Sequence, residues 1–332
     1  MAYSQTGKFD EALQEALETL RLEPLGALGF TNAATAYLQL NRFAEANAII
    51  QRSEMLKVDA TATHRLRYEM AFLDGDTAGM QHEVEWARNK PSEFFILATV
   101  AHGEAAAGKL QNARKSYEQS TAMAKRSGFT GIAGESTADR ALMEAFAGNF
   151  TAAQAGARAA LALDRGEQTL WTSGLAAAFA GDLHLATTAA EELKQRFPVN
   201  TNVVNVEVPE IRAAIALNQH NPAKAIEPLQ AAAPYEPGEF ALPNYLRGLA
   251  YLQLKQGAEA AAEFRKVLDH RWVCLRYQLC SLARLQLGRA LALTSDSAGA
   301  HTAYQDFFAL WKDADPDVPN LKQAKAEYEK LK

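Results

Sequence analysis

A small residue opens a helical stretch again and again along this chain, at Ala12, Ala46, Ala113, Ala153, Ala186, Ala225, Ala260 and Ala300. The intervals are 34, 67, 40, 33, 39, 35 and 40 residues. The 67-residue interval holds one degenerate unit, with its turn at Asp74-Gly75-Asp76, which brings the mean close to 36 residues. Similar strings stand at several anchors: GKFDEA at 7–12, NRFAEA at 41–46, GNFTAA at 148–153 and GAEA at 257–260. A chain with such a period cannot bury the apolar face of one unit alone. It must stack neighbours side by side.

Within a unit the pattern alternates small and large. The clearest unit, about 243–271, carries Gly248, Tyr251, Ala260, Phe264 and Val267. The next carries Gly288, Leu291, Ala300, Tyr304 and Phe307, and an earlier one Ala34, Tyr37, Ala46, Ile50 and Ser53. Small residues let two helices approach closely, and large ones fill the groove beside the crossing. Roughly a fifth of the residues are alanine, the best helix former. These spacings match the tetratricopeptide repeat, a helix–turn–helix of 34 residues. The fold class expected is all-α: a right-handed superhelical solenoid of about eight to nine helix–turn–helix repeats in one domain over 1–332. The competing reading is an irregular helical bundle with chance periodicity. The first repeat, 1–24, lacks most of its first helix, and 321–332 is a charged amphipathic helix suited to capping the last repeat. Pro24 and Pro198 fall where second helices must end. The longer intervals near Ala153, Ala225 and Ala300 imply extended helices or loops, and the β-branched run between Pro198 and Pro209 reads as an extended connector. Contacts should be nearest-neighbour, so the ends should fray before the middle.

A narrower resemblance lies in the C-terminal half. The segments LARLQLGRA at 282–290, AYQDFFALWKDADPDVP at 303–319 and LKQAKAEY at 321–328 are similar to the C-terminal tail of a bacterial family. So are Phe197-Pro198, PEIRAA at 209–214, YLRGLAY at 245–251 and FRKVLDHR at 264–271. That family is the eukaryotic-like serine/threonine protein kinases of Acidobacteria-type bacteria, which resemble a kinase, a membrane-spanning helix and a long C-terminal tetratricopeptide region. The string RWVCLRYQLCS at 271–281 departs from the pattern. The resemblance implies association with kinase signalling. It implies no kinase activity here, because the Gly-rich loop, the H-R-D catalytic loop and D-F-G are missing from the sequence. Related architectures place similar repeats behind a winged-helix DNA-binding domain, so a sensing region of a transcriptional regulator is the alternative.

Other motifs weaken on inspection. His82-Glu83-Val84-Glu85-Trp86 begins like a zincin helix, yet Trp86 stands where the second histidine is needed. His270, Cys274 and Cys280 lack a nearby fourth ligand. Asp313, Asp315 and Asp317 imitate a calcium loop, but Val318 and Ala324 replace its glycine and glutamate. Asn149-Phe150-Thr151 is a formal glycosylation sequon at a turn, where both polar residues have ordinary structural uses. Arg265, Lys266, Arg271, Arg276, Arg284 and Arg289 form a basic stretch that reads better as solvated helix faces and ion pairs than as one acceptor patch. No Ser/His/Asp or Cys/His constellation is recognisable, so no enzyme activity and no cofactor or metal is expected.

First helices of such repeats line a concave groove. The groove candidates are Phe95, His102, Trp171, Phe179, Tyr245 and Arg289, a mix of aromatic area and polar tips suited to a peptide; the alternative is that several are inter-repeat core. Some tetratricopeptide domains grip a terminal carboxylate with Lys, Asn and Arg. The matching positions here are Thr31, Thr35, Ala98 and Ala138, so an apolar or extended protein segment is the expected ligand. A net charge of -5 gives no general reason to hold nucleic acid or anionic membrane, and two cysteines build no disulfide framework. The bulky apolar run 94–101 is too short to span a bilayer, and 1–22 has no signal-peptide pattern. The chain as given is expected to be soluble and cytoplasmic by default, or extracytoplasmic if it belongs to a membrane-anchored kinase. Oligomeric state leaves no mark on the sequence.

Overall fold

A computed structural model describes residues 3, 7–236, 241–269, 272 and 278–331. Every regular element among them is helical. The chain opens with α1 (Phe9–Leu22) and continues as hairpins: α2 (Ala27–Gln39) with α3 (Phe43–Met55), α4 (Thr61–Asp74) with α5 (Thr77–Ala87), and α6 (Glu93–Ala106) with α7 (Leu110–Arg126). Next come α8 (Thr130–Ala147) with α9 (Phe150–Leu163) and α10 (Glu167–Phe179) with α11 (Leu183–Arg196). The last three pairs are α12 (Val208–Asn218) with α13 (Pro222–Leu229), α14 (Leu242–Gln253) with α15 (Gly257–Asp269), and α16 (Leu279–Leu293) with α17 (Ser297–Leu310). A final helix, α18 (Pro319–Lys330), follows. Each first helix packs on its own second helix, and all but α6 pack on the first helix that follows, so the architecture is an all-α solenoid of the tetratricopeptide type.

One turn explains why the period is regular. Between the two helices of each hairpin a single residue takes positive φ: Asn41, Gly75, Gly108, Gly148, Gly181, His220, Lys255 and Ser295. The following backbone N–H reaches back to a carbonyl five residues earlier, as in Arg42 to Tyr37 (2.8 Å), Asp182 to Ala177 (2.9 Å) and Gln256 to Tyr251 (2.9 Å). That bond satisfies an orphan carbonyl at the helix end and reverses the chain at a fixed angle. Five residues after each such position sits the small anchor read from the sequence, except that Met80 follows Gly75. Four of the eight positions carry a side chain where glycine is free of strain. Ser295→Gly (φ 61 in the native chain) is therefore expected to raise stability by about 0.5–1 kcal/mol, read from the urea midpoint.

Packing at the crossings follows the small–large rule. A Cβ added at Gly248 would lie 2.6 Å from the Phe264 ring, and one at Gly288 would lie 2.8 Å from Tyr304. Phe264 and Phe307 are fully buried, as are Ala46, Ala113, Ala153, Ala186, Ala225, Ala260 and Ala300. The long interval near Ala153 comes from α7 and α8, which run to 17 and 18 residues.

The run 198–209 corrects one expectation: it is helical from Thr201 onward, not extended. Asn200 caps it, its side-chain carbonyl accepting from the backbone N–H groups of Asn202 (3.0 Å) and Val203 (3.3 Å). Val203, Val206 and Val208 are then buried, and that burial outweighs their strand preference. A wider π-turn over Val203–Glu207, with the Val208 N–H donating to the Val203 carbonyl, precedes Pro209, which has no N–H to give.

The strictly nearest-neighbour expectation is also corrected. The six hairpins from α6/α7 to α16/α17 close on themselves: the Ser281 hydroxyl (2.5 Å) and the Trp311 indole N–H (2.9 Å) both donate to the Ala106 carbonyl. Trp272 joins the buried cluster of Ala34, Leu38 and Leu66 in the N-terminal hairpins. At the other end α18 packs Tyr328 against Phe308, with ring centroids 5.5 Å apart. No helix among the described residues is long and apolar enough to cross a membrane.

Candidate functional site

A basin of about 410 Å³ opens on the inner face of the ring. Four consecutive first helices, α10, α12, α14 and α16, together with the turn residue Lys255, supply its lining. No second helix contributes, and this places the basin on the concave side. Phe179, Leu217, Leu249 and Leu252 form its apolar floor; Asn218, Gln253, Gln286, Lys255 and Arg289 form a polar rim. The amides are pre-set by the helix ends before them. Gln253 donates to the Leu217 carbonyl (3.1 Å) and Asn218 to the Phe179 carbonyl (3.5 Å), two successive rungs of one ladder. Each Asn or Gln thereby adds a donor to a carbonyl at a helix C-terminus, that of Leu217 being shared with the His220 N–H (3.0 Å). The lining includes no acid, histidine, serine or cysteine; its charged side chains are the cations Lys255 and Arg289.

The six groove candidates separate. Phe179 and Arg289 both line the basin. Arg289 donates through two nitrogens to Glu327 of α18 (2.8 and 3.0 Å), and Tyr304 donates to the same carboxylate (2.9 Å). Tyr245 is buried, its ring edge-on to Phe264 (5.7 Å) and to Phe146 (6.2 Å); burial pushes its phenol up to about 12. Phe146 also meets Phe179 edge-on at 5.0 Å, so three rings form the wall beside the basin. Trp171 is core: its indole N–H donates to the buried carboxylate of Glu210 at 2.7 Å. His102 lies away from the basin, 3.2 Å from Asp139 and edge-on to Tyr117. Phe95 is partly exposed on α6, 38% accessible, with its ring against Phe94.

Sequence reasoning missed Leu217, Asn218, Leu249, Leu252, Gln253 and Gln286. The signal was available. Counting back from the positive-φ residue, Ala214, Leu249 and Arg289 share the sixth position, and Phe179, Asn218 and Gln253 the second. Reading by that turn, rather than by aromatic content, picks out the columns that face inward.

Elsewhere the polar residues hold structure together. Glu83 of the zincin-like string is buried, hydrogen-bonded to His64 Nδ1, while His64 Nε2 meets Asp59 at 2.8 Å and its ring stacks on Trp86 at 3.4 Å. Glu207 and Glu210 are buried side by side near Glu167. Burial and the Glu167 charge push Glu207 up to about 8, and burial, reinforced by Glu207, holds Glu210 well above the usual carboxylate range against its indole hydrogen bond. With accessibilities of 6% and 0%, neither carboxyl is open to a substrate. Thr31 turns its hydroxyl into its own helix, onto the Ala27 carbonyl (3.0 Å), and Ala138 is buried. Lys266 pairs with Glu263 (2.6 Å) and Arg284 donates to the Cys280 carbonyl (3.1 Å), so these members of the basic stretch serve local contacts. Cys280 is buried and disulfide-bonded. His270, Arg271, Cys274 and Arg276 lie outside the described residues. Among the described residues no three His, Cys, Asp or Glu side chains gather as metal ligands.

No family model matches the chain, and no curated protein matches it in sequence. Solved structures are similar in fold. Yeast Tom70 is 14% identical with a TM-score of 0.44, over 99% of this chain and 86% of that one. A tetratricopeptide repeat protein from Parabacteroides merdae is 16% identical with a TM-score of 0.46, over 80% of this chain and 97% of that one. The Cut9–Hcn1 hetero-tetramer of the APC/C gives 15% and 0.49, over 98% of this chain and 59% of that one.

Proposed function

We propose that this chain is a non-catalytic protein-binding module whose inner basin takes an extended, largely apolar segment of a partner. One observation carries the reading: four successive first helices bring an apolar floor and a rim of amides and cations into one concave cavity of about 410 Å³. Apolar partner side chains would fill the space over Leu249 and Leu252. The rim amides of Asn218 and Gln253 would pair with the partner's backbone through their side-chain carbonyls. The rim cations Lys255 and Arg289 stand with no carboxylate or imidazole beside them in the lining, which favours binding over turnover.

The test is a displayed library of extended peptides, selected on the whole chain and then measured against the double variant L249D/L252D. Both leucines are half-buried on the basin floor, so the helices should survive the change. Selected peptides are expected to lose at least about tenfold in affinity. Equal binding to both proteins would move the site off the inner face.

The larger setting follows the C-terminal resemblance. The chain serves as the tetratricopeptide region of a bacterial serine/threonine kinase signalling protein, scaffolding a partner for the kinase. The coding sequence upstream decides it. A kinase domain there supports the reading; a winged-helix domain replaces it with a sensing region of a transcriptional regulator.

A further inference from the structure

In an open solenoid, distant repeats never touch. Here the ten residues 311–320 leave the last hairpin and lie across the turns of two hairpins far back in the chain. Besides the Trp311 bond to Ala106, the backbone N–H of Asp315 donates to the Gly108 carbonyl (3.0 Å). The Asp315 carboxylate accepts from the backbone N–H of Gln111 (2.8 Å), capping the start of α7 from 204 residues away. Lys109 faces Asp313 at 3.9 Å. Further along, the Asn320 amide donates to the Phe146 carbonyl at 2.7 Å, and the segment's own Trp311 and Val318 are buried.

We propose that residues 311–320 are a strap that latches the ring of six hairpins shut, and that its release opens the inner face at the Phe146–Tyr245 contact. The link is direct. The strap grips the carbonyl of Phe146, whose ring meets Tyr245 across the ring and Phe179 on the neighbouring hairpin. Freeing the end of α8 removes what holds that wall in place. The inference concerns the shape of the chain and stands whatever the basin binds.

Gly108 is the seat of the strap and gives the cleanest test. A Cβ there would lie 2.6 Å from Ala314 and 2.9 Å from Trp311, so alanine must lift the strap. Gly181 is the control: its φ of +81 is close to the +74 of Gly108, so alanine pays similar backbone strain, yet the nearest atom to its Cβ is an ordinary 3.7 Å away. Amide exchange on the whole chain is the readout. In Gly108→Ala, exchange at 140–147 and 311–331 is expected to quicken about tenfold or more, with a larger radius of gyration by X-ray scattering. In Gly181→Ala those segments should keep their protection. A second variant, D315A/N320A, leaves the turn intact and removes two strap hydrogen bonds; it should reproduce the Gly108→Ala pattern. Unchanged protection at 311–331 in both strap variants would overturn the proposal. So would an equal loss in Gly181→Ala, since the strap would then be an ordinary part of one cooperative core.

Discussion

Raising the pH from 5 to 8 is expected to cost the folded chain on the order of a few kcal/mol, and Glu207→Gln to remove a share of that loss, the rest staying with Glu210 and Glu135. Glu207 is 6% exposed and Glu210 is 0% exposed, and their neighbours on α10 are Glu167 and the Trp171 indole. Burial therefore favours the protonated forms, and the Glu167 charge adds to it for Glu207. In the unfolded chain both carboxyls ionise near about pH 4.3. Below that value both states hold their protons and the buried pair costs nothing extra. Above it the unfolded state releases protons while the folded state keeps them, so stability falls until Glu207 ionises at about 8. Each unit of the window is worth about 1.4 kcal/mol per group, before structural relaxation reduces it. Glu135, pushed up to about 7 by burial and by Asp139 and Asp164, bends the profile the same way. Acidification brings the opposite limb, because Asp59, Glu192 and Glu263 are held below their ordinary values in the folded chain. Urea midpoints across pH 4 to 9 check this. A wild-type profile flat between 5 and 8 would show that the pair is solvated.

The same carboxylates explain part of what the sequence could not say. Trp171 belongs to a first helix and has the aromatic area of a groove residue, but its position depends on Glu210, 39 residues away. Nothing local announces that partnership. The repeat, by contrast, was readable because it is a local rule. A left-handed turn residue five places before a small one recurs wherever a hairpin must reverse, and only Met80 broke the visible pattern. The connector at 198–209 went wrong for a third reason. Propensity favoured an extended chain, whereas burial of Val203, Val206 and Val208 and the Asn200 cap favoured a helix. The strap was beyond reach altogether. Asp313, Asp315 and Asp317 look like a solvated turn, and no period in a sequence reveals that one of them caps a helix two hundred residues earlier.

Phe264→Ala is expected to destabilise the chain by about 3–5 kcal/mol, the range for removing a buried phenylalanine. Phe264 is fully buried, lies over Gly248 within the space a Cβ would need, and meets Tyr245 at 5.7 Å. The cost has two parts: transfer of the ring to water and the cavity it leaves behind. Where the damage travels is the more telling measurement. In a linear stack it would stay with α14, α15 and their immediate neighbours. In the closed ring it should pass from Tyr245 to Phe146 and loosen the end of α8, three hairpins earlier. Amide exchange at 140–147 is therefore expected to rise along with that of 245–267. The crossing itself is checked by a double-mutant cycle of Gly248→Ala with Phe264→Leu. Each change alone is unfavourable, one by overpacking and one by underfilling. Together the smaller side chain makes room for the new methyl, and the pair should cost at least about 1 kcal/mol less than the two single costs combined. Additive costs would mean that Gly248 and Phe264 do not share the space between α14 and α15, and the small-against-large account of this fold would fail at its clearest crossing.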